Sequence, residues 1–375
     1  MKIIIDDKIP YINGAFEKVA EVIYLPGAKT TPEIVKDADA IVTRTRTICN
    51  KQLLAGSTVK FIATATIGYD HIDTEYCDAA GIKWTNAPGC NSKSVEQYIA
   101  SALMVLAETK NLKLNELCIG VVGVGNVGSK VARLCELLGM KVLLNDPPRQ
   151  RAESEEKFVS LDYIKQKADI ITLHVPLNMK GEDATYHLAD KSFFETLSKK
   201  PVLINSCRGE VVENKSVKEA LKSRRISDFV CDCWENEPDI DLELLAMTTL
   251  ATPHIAGYSK DGKATGTKMS VHAISDYFGL GLNNWQPSGV ELPSEPAIRI
   301  DGEKLSEQQI ISKAILHTYD IRKDDILFRN IPSDFEKQRG DYPTRREFPA
   351  YTIEVNNIPE ITINKLKLLG FNTKN

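Results

Sequence analysis

Ile119-Gly120-Val121-Val122-Gly123-Val124-Gly125-Asn126-Val127-Gly128, followed by a helical run and then Leu143-Leu144-Asn145-Asp146, is the stretch whose reading decides the fold. A short β-branched run, three glycines in G-x-G-x-x-G spacing, a helical pattern and a carboxylate after a second apolar run make one βαβ unit. Each part has a physical task. Gly123 permits the tight turn out of the strand, Gly125 lets a pyrophosphate approach the backbone, and Gly128 lets the helix sit close on the sheet. The free N–H groups of the first helical turn then face the anion. Asp146 is placed to accept hydrogen bonds from an adenosine ribose, which favours NAD over NADP because a 2′-phosphate would face its carboxylate.

Working outward, the same alternation recurs on both sides. Lys2-Ile3-Ile4-Ile5-Asp6, Lys36 to Arg44, Lys60 to Thr66 and Gly81 to Asn86 read as strands before the loop. Ala168 to Val175, Pro201 to Ser206, Asp228 to Asp232 and Thr249 to His254 read as strands after it. Apolar runs alternating with helical patterns indicate parallel α/β sheets, in which ligands sit beyond the carboxyl ends of the strands. Ser94 to Lys110 reads as one long helix, and Ser259 to Gly279 as a second that returns to the first lobe. Asn283, Asn284, Pro287, Ser288, Gly289 and Pro293 mark a break. Beyond it, Ser306-Glu307-Gln308-Gln309 is an N-cap with Gln at the third helical position, and mixed α and β signals end in a helix over Ile361 to Leu369. The expected division is residues 1–93 for a first lobe, 94–258 for the dinucleotide domain, 259–285 for the return helix and 286–375 for a small α+β domain.

Composition narrows the class. The 375 residues are 42% apolar and 26% charged, with a formal net charge of −4, giving no footprint for nucleic acid or an anionic membrane. No apolar run approaches a membrane span and the amino terminus reads as a strand, not a signal peptide. The eight cysteines are scattered, without metal or redox spacing, as expected of reduced thiols in the cytoplasm.

Binding a nicotinamide implies hydride transfer, and oxidising an alcohol also needs a base. His254, at a strand end with Pro253 before it and the flexible Gly257 after it, is the best placed of the six histidines, although alone it could be a hydrogen-bonded loop residue. Glu237 in Glu235-Asn236-Glu237-Pro238 could lie beside it and fix its tautomer; Glu235, two residues away, is the alternative. Arg208 in Ser206-Cys207-Arg208-Gly209-Glu210 offers a planar fork for a carboxylate, or caps a strand end. His71, His174, His187, His272 and His317 read as structural. Arg44 and Arg46 form a solvated patch or, flanking Thr45 at a strand end, receive a phosphate. Arg345 and Arg346 read as salt-bridged interface residues or as solvated ones.

Together Gly123 to Gly128, Leu173-His174-Val175-Pro176-Leu177, Asn205 to Glu210, Glu235 to Pro238 and Thr252-Pro253-His254-Ile255-Ala256-Gly257 resemble the D-2-hydroxyacid dehydrogenase family over roughly residues 1–285. The resemblance implies a Rossmann-type NAD domain inserted into a flavodoxin-like substrate domain. It also implies that Arg208 grips a substrate carboxylate, His254 is the acid/base and Glu237 pairs with it. Asp232 would meet the nicotinamide carboxamide, and cofactor contacts would come from Gly123, Gly125, Asn126, Val127, Gly128, Asp146, Val175, Ser206, Cys207, Arg208 and Gly257.

Ala87-Pro88-Gly89-Cys90-Asn91, Ser94-Val95-Glu96, Tyr258-Ser259 and Tyr342-Pro343-Thr344-Arg345-Arg346-Glu347-Phe348 are similar to one branch of that family. Its members act on 4-phospho-D-erythronate in vitamin B6 synthesis and dimerise through a C-terminal domain. This implies a phosphorylated 2-hydroxy acid as substrate, contacts from Thr45, Thr66 and Tyr258, and a homodimer through residues 286–375. Two positions depart from the pattern. Thr45 stands where Ser is expected and keeps the hydroxyl, and Val175 stands where Thr is expected, offering the cofactor only its backbone. The alternatives are another member of the family, a phosphoglycerate dehydrogenase or hydroxypyruvate reductase, and a non-enzymatic, NAD-sensing corepressor-like protein.

Overall fold

The computed structural model describes residues 1–153 and 156–374. By internal contacts the chain forms two compact units, Met1–Asn91 with Ser259–Glu291, and Ser92–Tyr258 with Leu292–Asn375.

In the first unit, β1 (Lys2–Asp6), β2 (Glu21–Leu25), β3 (Ala40–Thr43), β4 (Phe61–Thr64) and β5 (Lys83–Thr85) pair in parallel in the order β2-β1-β3-β4-β5, the flavodoxin-like order. The period-two alternation of a strand sorts its side chains to two faces. Ile3, Ile5, Val42 and Ala63 pack on one face with Val271 and Ile274 of the Lys260–Phe278 helix. Ile4, Ile41 and Ile62 pack on the other with Val35 and Leu54. Ser259 caps that helix by accepting from the Gly262 N–H, and Gly279 ends it in the left-handed conformation. Two strand expectations need correction. The strand read from Lys36 begins only at Ala40, because Asp37 and Asp39 are spent on the Lys2 ammonium and the Lys2 N–H. β2 has no counterpart in the sequence reading; it is a half-exposed edge strand whose Val22 and Tyr24 pack on one face of the sheet and Ile23 and Leu25 on the other.

In the second unit, β6 (Cys118–Val122), β7 (Lys141–Asn145), β8 (Ile170–Leu173), β9 (Val202–Asn205), β10 (Asp228–Cys231) and β11 (Leu250–Ala251) form a parallel sheet in the order β11-β10-β9-β8-β6-β7. An isolated parallel bridge from Leu144 to Phe158 extends it beyond β7. The order reverses between β6 and β8, so the crevice for a ligand opens where Gly123 and His174 follow those strands.

Of the small domain expected over residues 286–375, residues up to Glu291 belong by internal contacts to the first unit, and the chain from Leu292 onward shares this unit and carries a second parallel sheet. Its strands are β12 (Ala297–Asp301), β13 (Thr352–Asn356) and β14 (Asn372–Lys374). Ile298, Ile310, Ile353 and Leu366 lie in one apolar cluster with Leu103 and Val131 of the NAD half. The capping box at Ser306 forms as expected: the Ser306 hydroxyl accepts from the Gln309 N–H, and the Gln309 side chain accepts from the Ser306 N–H. The helix expected to end the chain over Ile361 to Leu369 forms as Glu360–Leu369 but is followed by β14, because Gly370 reverses the chain and lets Asn372 pair with Thr352.

The Ser92–Lys110 helix is buried along most of its length. Burial pushes the Glu96 carboxyl on it up to about 7, against the pull of Lys130 and Lys93 and with Glu347 adding to the push. The unfolded chain ionises such a group near pH ~4.3, so folding holds the proton up to the higher value, and stability is lost as pH rises through that window. Glu96→Gln cannot ionise. Its melting temperature is expected to exceed the wild type's by a few degrees at about pH 8 and not at about pH 4. Equal shifts at both would show that burial of Glu96 carries no proton.

Candidate active site

β6 delivers the chain to Gly123, whose φ of +85° suits glycine and whose added Cβ would lie 2.7 Å from the His174 carbonyl. An added Cβ on Gly128 would lie 1.9 Å from the Gly123 oxygen, so the following helix can sit this close only without a side chain. At Gly125 a Cβ would meet nothing within 4 Å, leaving the backbone open. The helix Gly128–Leu137 starts from Val127 without a side-chain cap; the Ser129 and Lys130 N–H groups donate to the Gly125 and Val127 carbonyls, and the positive end of the helix dipole faces the glycine loop. Asn126 is exposed on the same loop. Asp146 accepts from the Val124 N–H at 2.8 Å and from the Arg149 N–H at 3.0 Å, tying the glycine loop to the end of β7.

A cavity of about 300 Å³ opens beside it, lined by Gly123, Asp146, Pro147, Leu161, Val175 and Pro176 among others. Ser206 Oγ and His174 Nδ1 are buried without a hydrogen-bond partner among the described residues. Burial holds His174 near a pKa of about 3, so the ring is neutral, with Nε2 against the Thr172 hydroxyl. An open glycine loop, an apolar cavity with a carboxylate at its wall and an orphaned hydroxyl at the next strand end are the features a dinucleotide fits. Cys207, also expected at the cofactor, is buried and hydrogen-bonded to Asn205 Oδ1.

The catalytic candidates come from neighbouring strands. Arg208 follows β9, Glu237 follows β10 and His254 follows β11. His254 Nδ1 lies 2.7 Å from Glu237 Oε2, and the Trp234 N–H donates to Glu237 Oε1 at 2.8 Å. A carboxylate oxygen accepts, so Nδ1 carries the hydrogen, and in the neutral ring that tautomer puts the lone pair on Nε2. Glu235, the alternative partner, lies instead 2.7 Å from His187 Nε2. His254 itself has φ of +53°, an uncommon conformation for a residue with a side chain.

Arg208 is exposed. Nη1 donates to the Cys207 carbonyl at 2.7 Å, and no carboxylate pairs with it among the described residues. Asn205 Nδ2 donates to the carbonyls of Arg208 and Cys233, joining the two loops that carry Arg208 and Glu237. An added Cβ on Gly209 would lie 1.9 Å from the Trp234 carbonyl oxygen. Gly209→Ala is therefore expected to cost about 1–3 kcal/mol of stability by overpacking, and to lower turnover by separating those loops. Chemical denaturation and steady-state kinetics check it, and wild-type values of both would refute it.

Asp232, expected at the nicotinamide carboxamide, is fully buried. Oδ1 takes the Thr252 hydroxyl at 2.6 Å and the Ile255 N–H at 2.8 Å, and Oδ2 takes the Ala256 N–H at 2.9 Å. Burial raises its pKa. What the structure shows it doing is holding the loop of His254, which ends at Gly257, a duty invisible in the sequence. Tyr258 packs edge-on to Tyr342 with ring centroids 5.8 Å apart. Arg345 and Arg346 are neither solvated nor at the surface: both are buried.

In the first unit, Arg44, Thr45, Arg46 and Thr66 lie at the carboxyl ends of the adjacent strands β3 and β4, with Thr45 and Arg46 exposed. The Arg44 guanidinium donates to the Lys8 carbonyl at 3.0 Å, and Thr66 donates to the Gly68 carbonyl at 2.8 Å. Lys263, which the sequence reading did not single out, has its pKa lowered by burial and by the like charges of Arg44 and Lys260.

Residues 94–256 match the family model described as D-isomer specific 2-hydroxyacid dehydrogenase, NAD binding domain, and residues 292–370 match a domain of unknown function, DUF3410. A relative from Bacteroides fragilis, an erythronate-4-phosphate dehydrogenase, is 54% identical over 356 residues, covering 95% of this chain and 99% of its own. The chain belongs to the erythronate-4-phosphate dehydrogenase family. Another erythronate-4-phosphate dehydrogenase, from Porphyromonas gingivalis, is 42% identical over 94% of this chain and 95% of its own. A D-lactate dehydrogenase of Aquifex aeolicus, solved with NAD and lactic acid, shares the fold at a TM-score of 0.58 and 24% identity. It is covered over 97% of its length by 76% of this chain. The relatives named erythronate-4-phosphate dehydrogenase therefore match nearly the whole chain, where that solved dehydrogenase leaves about a quarter of it without a counterpart.

Proposed function

We propose that this protein oxidises the 2-hydroxyl of 4-phospho-D-erythronate to (R)-3-hydroxy-2-oxo-4-phosphooxybutanoate with NAD, a step in pyridoxal 5′-phosphate synthesis. The observation that carries the substrate is the 54% identity over 95% of the chain to an erythronate-4-phosphate dehydrogenase. NAD, when bound, accepts the hydride from C2. The glycine loop, Asp146, Val175, Ser206, Cys207 and Gly257 would hold it. His254 Nε2 takes the hydroxyl proton, and Glu237 keeps Nδ1 protonated and stabilises the imidazolium that forms. Arg208 binds the carboxylate and polarises the forming ketone. Thr45, Thr66 and Tyr258 would contact the substrate, with Arg44 and Arg46 receiving its phosphate.

The test is a panel of 2-hydroxy acids, with and without phosphate, followed by NADH absorbance. 4-Phosphoerythronate is expected to be turned over best. A better rate with 3-phosphoglycerate or hydroxypyruvate would reassign the substrate, and no turnover of any acid at saturating NAD would favour an NAD-sensing role.

The protein is also proposed to be a homodimer. Ile326, Leu327 and Ile331 on one C-terminal helix and its exit, and Ile361 and Leu368 on another, are exposed apolar side chains that a second copy would cover. A monomer in sedimentation at micromolar concentration would sink this. A reducing compartment such as the cytoplasm suits its eight free cysteines.

A further inference from the structure

Arg345 sits in Tyr342-Pro343-Thr344-Arg345-Arg346-Glu347-Phe348, far along the chain from every candidate catalytic residue, and it is 4% exposed. Burying a guanidinium is costly unless its donors are used, and here Nη1 and Nη2 are used while Nε has no hydrogen-bond partner among the described residues. No carboxylate forms an ion pair with it among the described residues. Nη1 donates to the Ile255 carbonyl at 3.4 Å, and Nη2 to the Ala256 carbonyl at 2.5 Å and the Ser94 carbonyl at 3.1 Å. Its plane lies over the Tyr319 ring, 4.5 Å from the centroid. Asp324 stands one step away, accepting from the hydroxyls of Tyr319 and Tyr342. The segment is anchored in turn to the Ser92–Lys110 helix: Gln97 donates to the Arg346 carbonyl and Ser94 to the Glu347 carboxylate.

Ile255 and Ala256 are the two residues after His254, and Asp232 already holds both of their N–H groups. These two residues are therefore held on both sides, N–H by a buried carboxylate and C=O by a buried guanidinium, and the peptide between them is gripped at both ends. Strained backbone persists only where its surroundings over-determine it, and His254, at φ +53°, is the residue this clamp adjoins. We propose that Arg345 is a positioning residue for His254: the C-terminal segment sets the backbone from which the imidazole reaches Glu237. The proposal rests on His254 being the base. A planar fork can hold two carbonyls at once where an ammonium holds them as a point charge, so the clamp needs Arg and not merely a cation.

The test uses full-length Arg345→Lys, which keeps the buried charge, and Arg345→Met, which keeps volume. Melting, NAD affinity, kcat and KM are measured for each. The low-field proton resonance of the His254 Nδ1–H bonded to Glu237 is followed in 15N-histidine-labelled protein. Arg345→Lys is expected to fold and bind NAD as the wild type does, with kcat down about tenfold to a hundredfold, KM little changed and that resonance shifted. Unchanged kcat, or a lowered kcat with the resonance unmoved, would overturn the proposal. So would a loss of kcat that merely follows a loss of folded protein, as Arg345→Met is suited to show. If the wild type turns over no hydroxy acid, the proposed function fails, and the resonance, read without substrate, still decides the clamp.

Discussion

Replacing His254 with alanine is expected to lower kcat on the order of a hundredfold to ten-thousandfold while NAD affinity stays at the wild-type value. The split follows from the site. The glycine loop and Asp146 are built on β6 and β7, whereas His254 stands after β11 at the far edge of the same sheet, so deleting its ring removes no group of the cofactor cradle. What is lost is the Nε2 lone pair. Glu237→Gln should cost less than the full removal but still a large factor, because an amide can turn its NH2 toward Nδ1 and select the wrong tautomer. Near wild-type turnover by His254→Ala would exclude this residue as the base.

Arg208→Ala is expected to lower kcat/KM on the order of a thousandfold, from two charge-assisted hydrogen bonds lost to the substrate carboxylate. Arg208 is a good candidate because the chain hardly occupies it: one nitrogen donates to the Cys207 carbonyl, and the guanidinium is exposed. Lysine at this position should recover only part of the loss, since an ammonium cannot present two parallel donors. The experiment is a steady-state comparison of wild type, Arg208→Lys and Arg208→Ala on 4-phosphoerythronate. Equal kcat/KM for all three would place the carboxylate elsewhere.

The difference between what could be read in the residues and what could not is one of range. Gly123, Gly125 and Gly128 announce their roles because the strand, turn and helix they serve are contiguous. Arg208, Glu237 and His254 were legible because each follows an apolar run, and β9, β10 and β11 turned out to be adjacent in the sheet. The choice between Glu235 and Glu237 was open in the sequence; the geometry divides them between His187 and His254. Asp232 was read as a cofactor contact; that it clamps Thr252, Ile255 and Ala256 was not legible, since that needs the path of residues 252–256. Arg345 was read as interface or solvent because arginine is rarely buried, and its partners are 89 and 90 positions away. β2 escaped notice for another reason: Val22 to Leu25 is a short apolar run without alternation, because both of its faces pack on the sheet's cores.

The first unit is assembled from two pieces of chain, Met1–Asn91 and Ser259–Glu291. Its five strands leave the ribosome early, but the Lys260–Phe278 helix, whose Val271 and Ile274 complete the core around Ile3, Ile5 and Val42, is among the later parts made. At ~5–20 residues per second, roughly ten seconds or more separate β5 from that helix. During that interval the growing polypeptide displays one partly covered apolar face of a parallel sheet, the kind of surface nascent-chain chaperones hold. A chain cut before residue 259 would leave that face covered only by Ile9, Ile12, Ala15 and Phe16 of its own first piece, without the contacts of Val271 and Ile274.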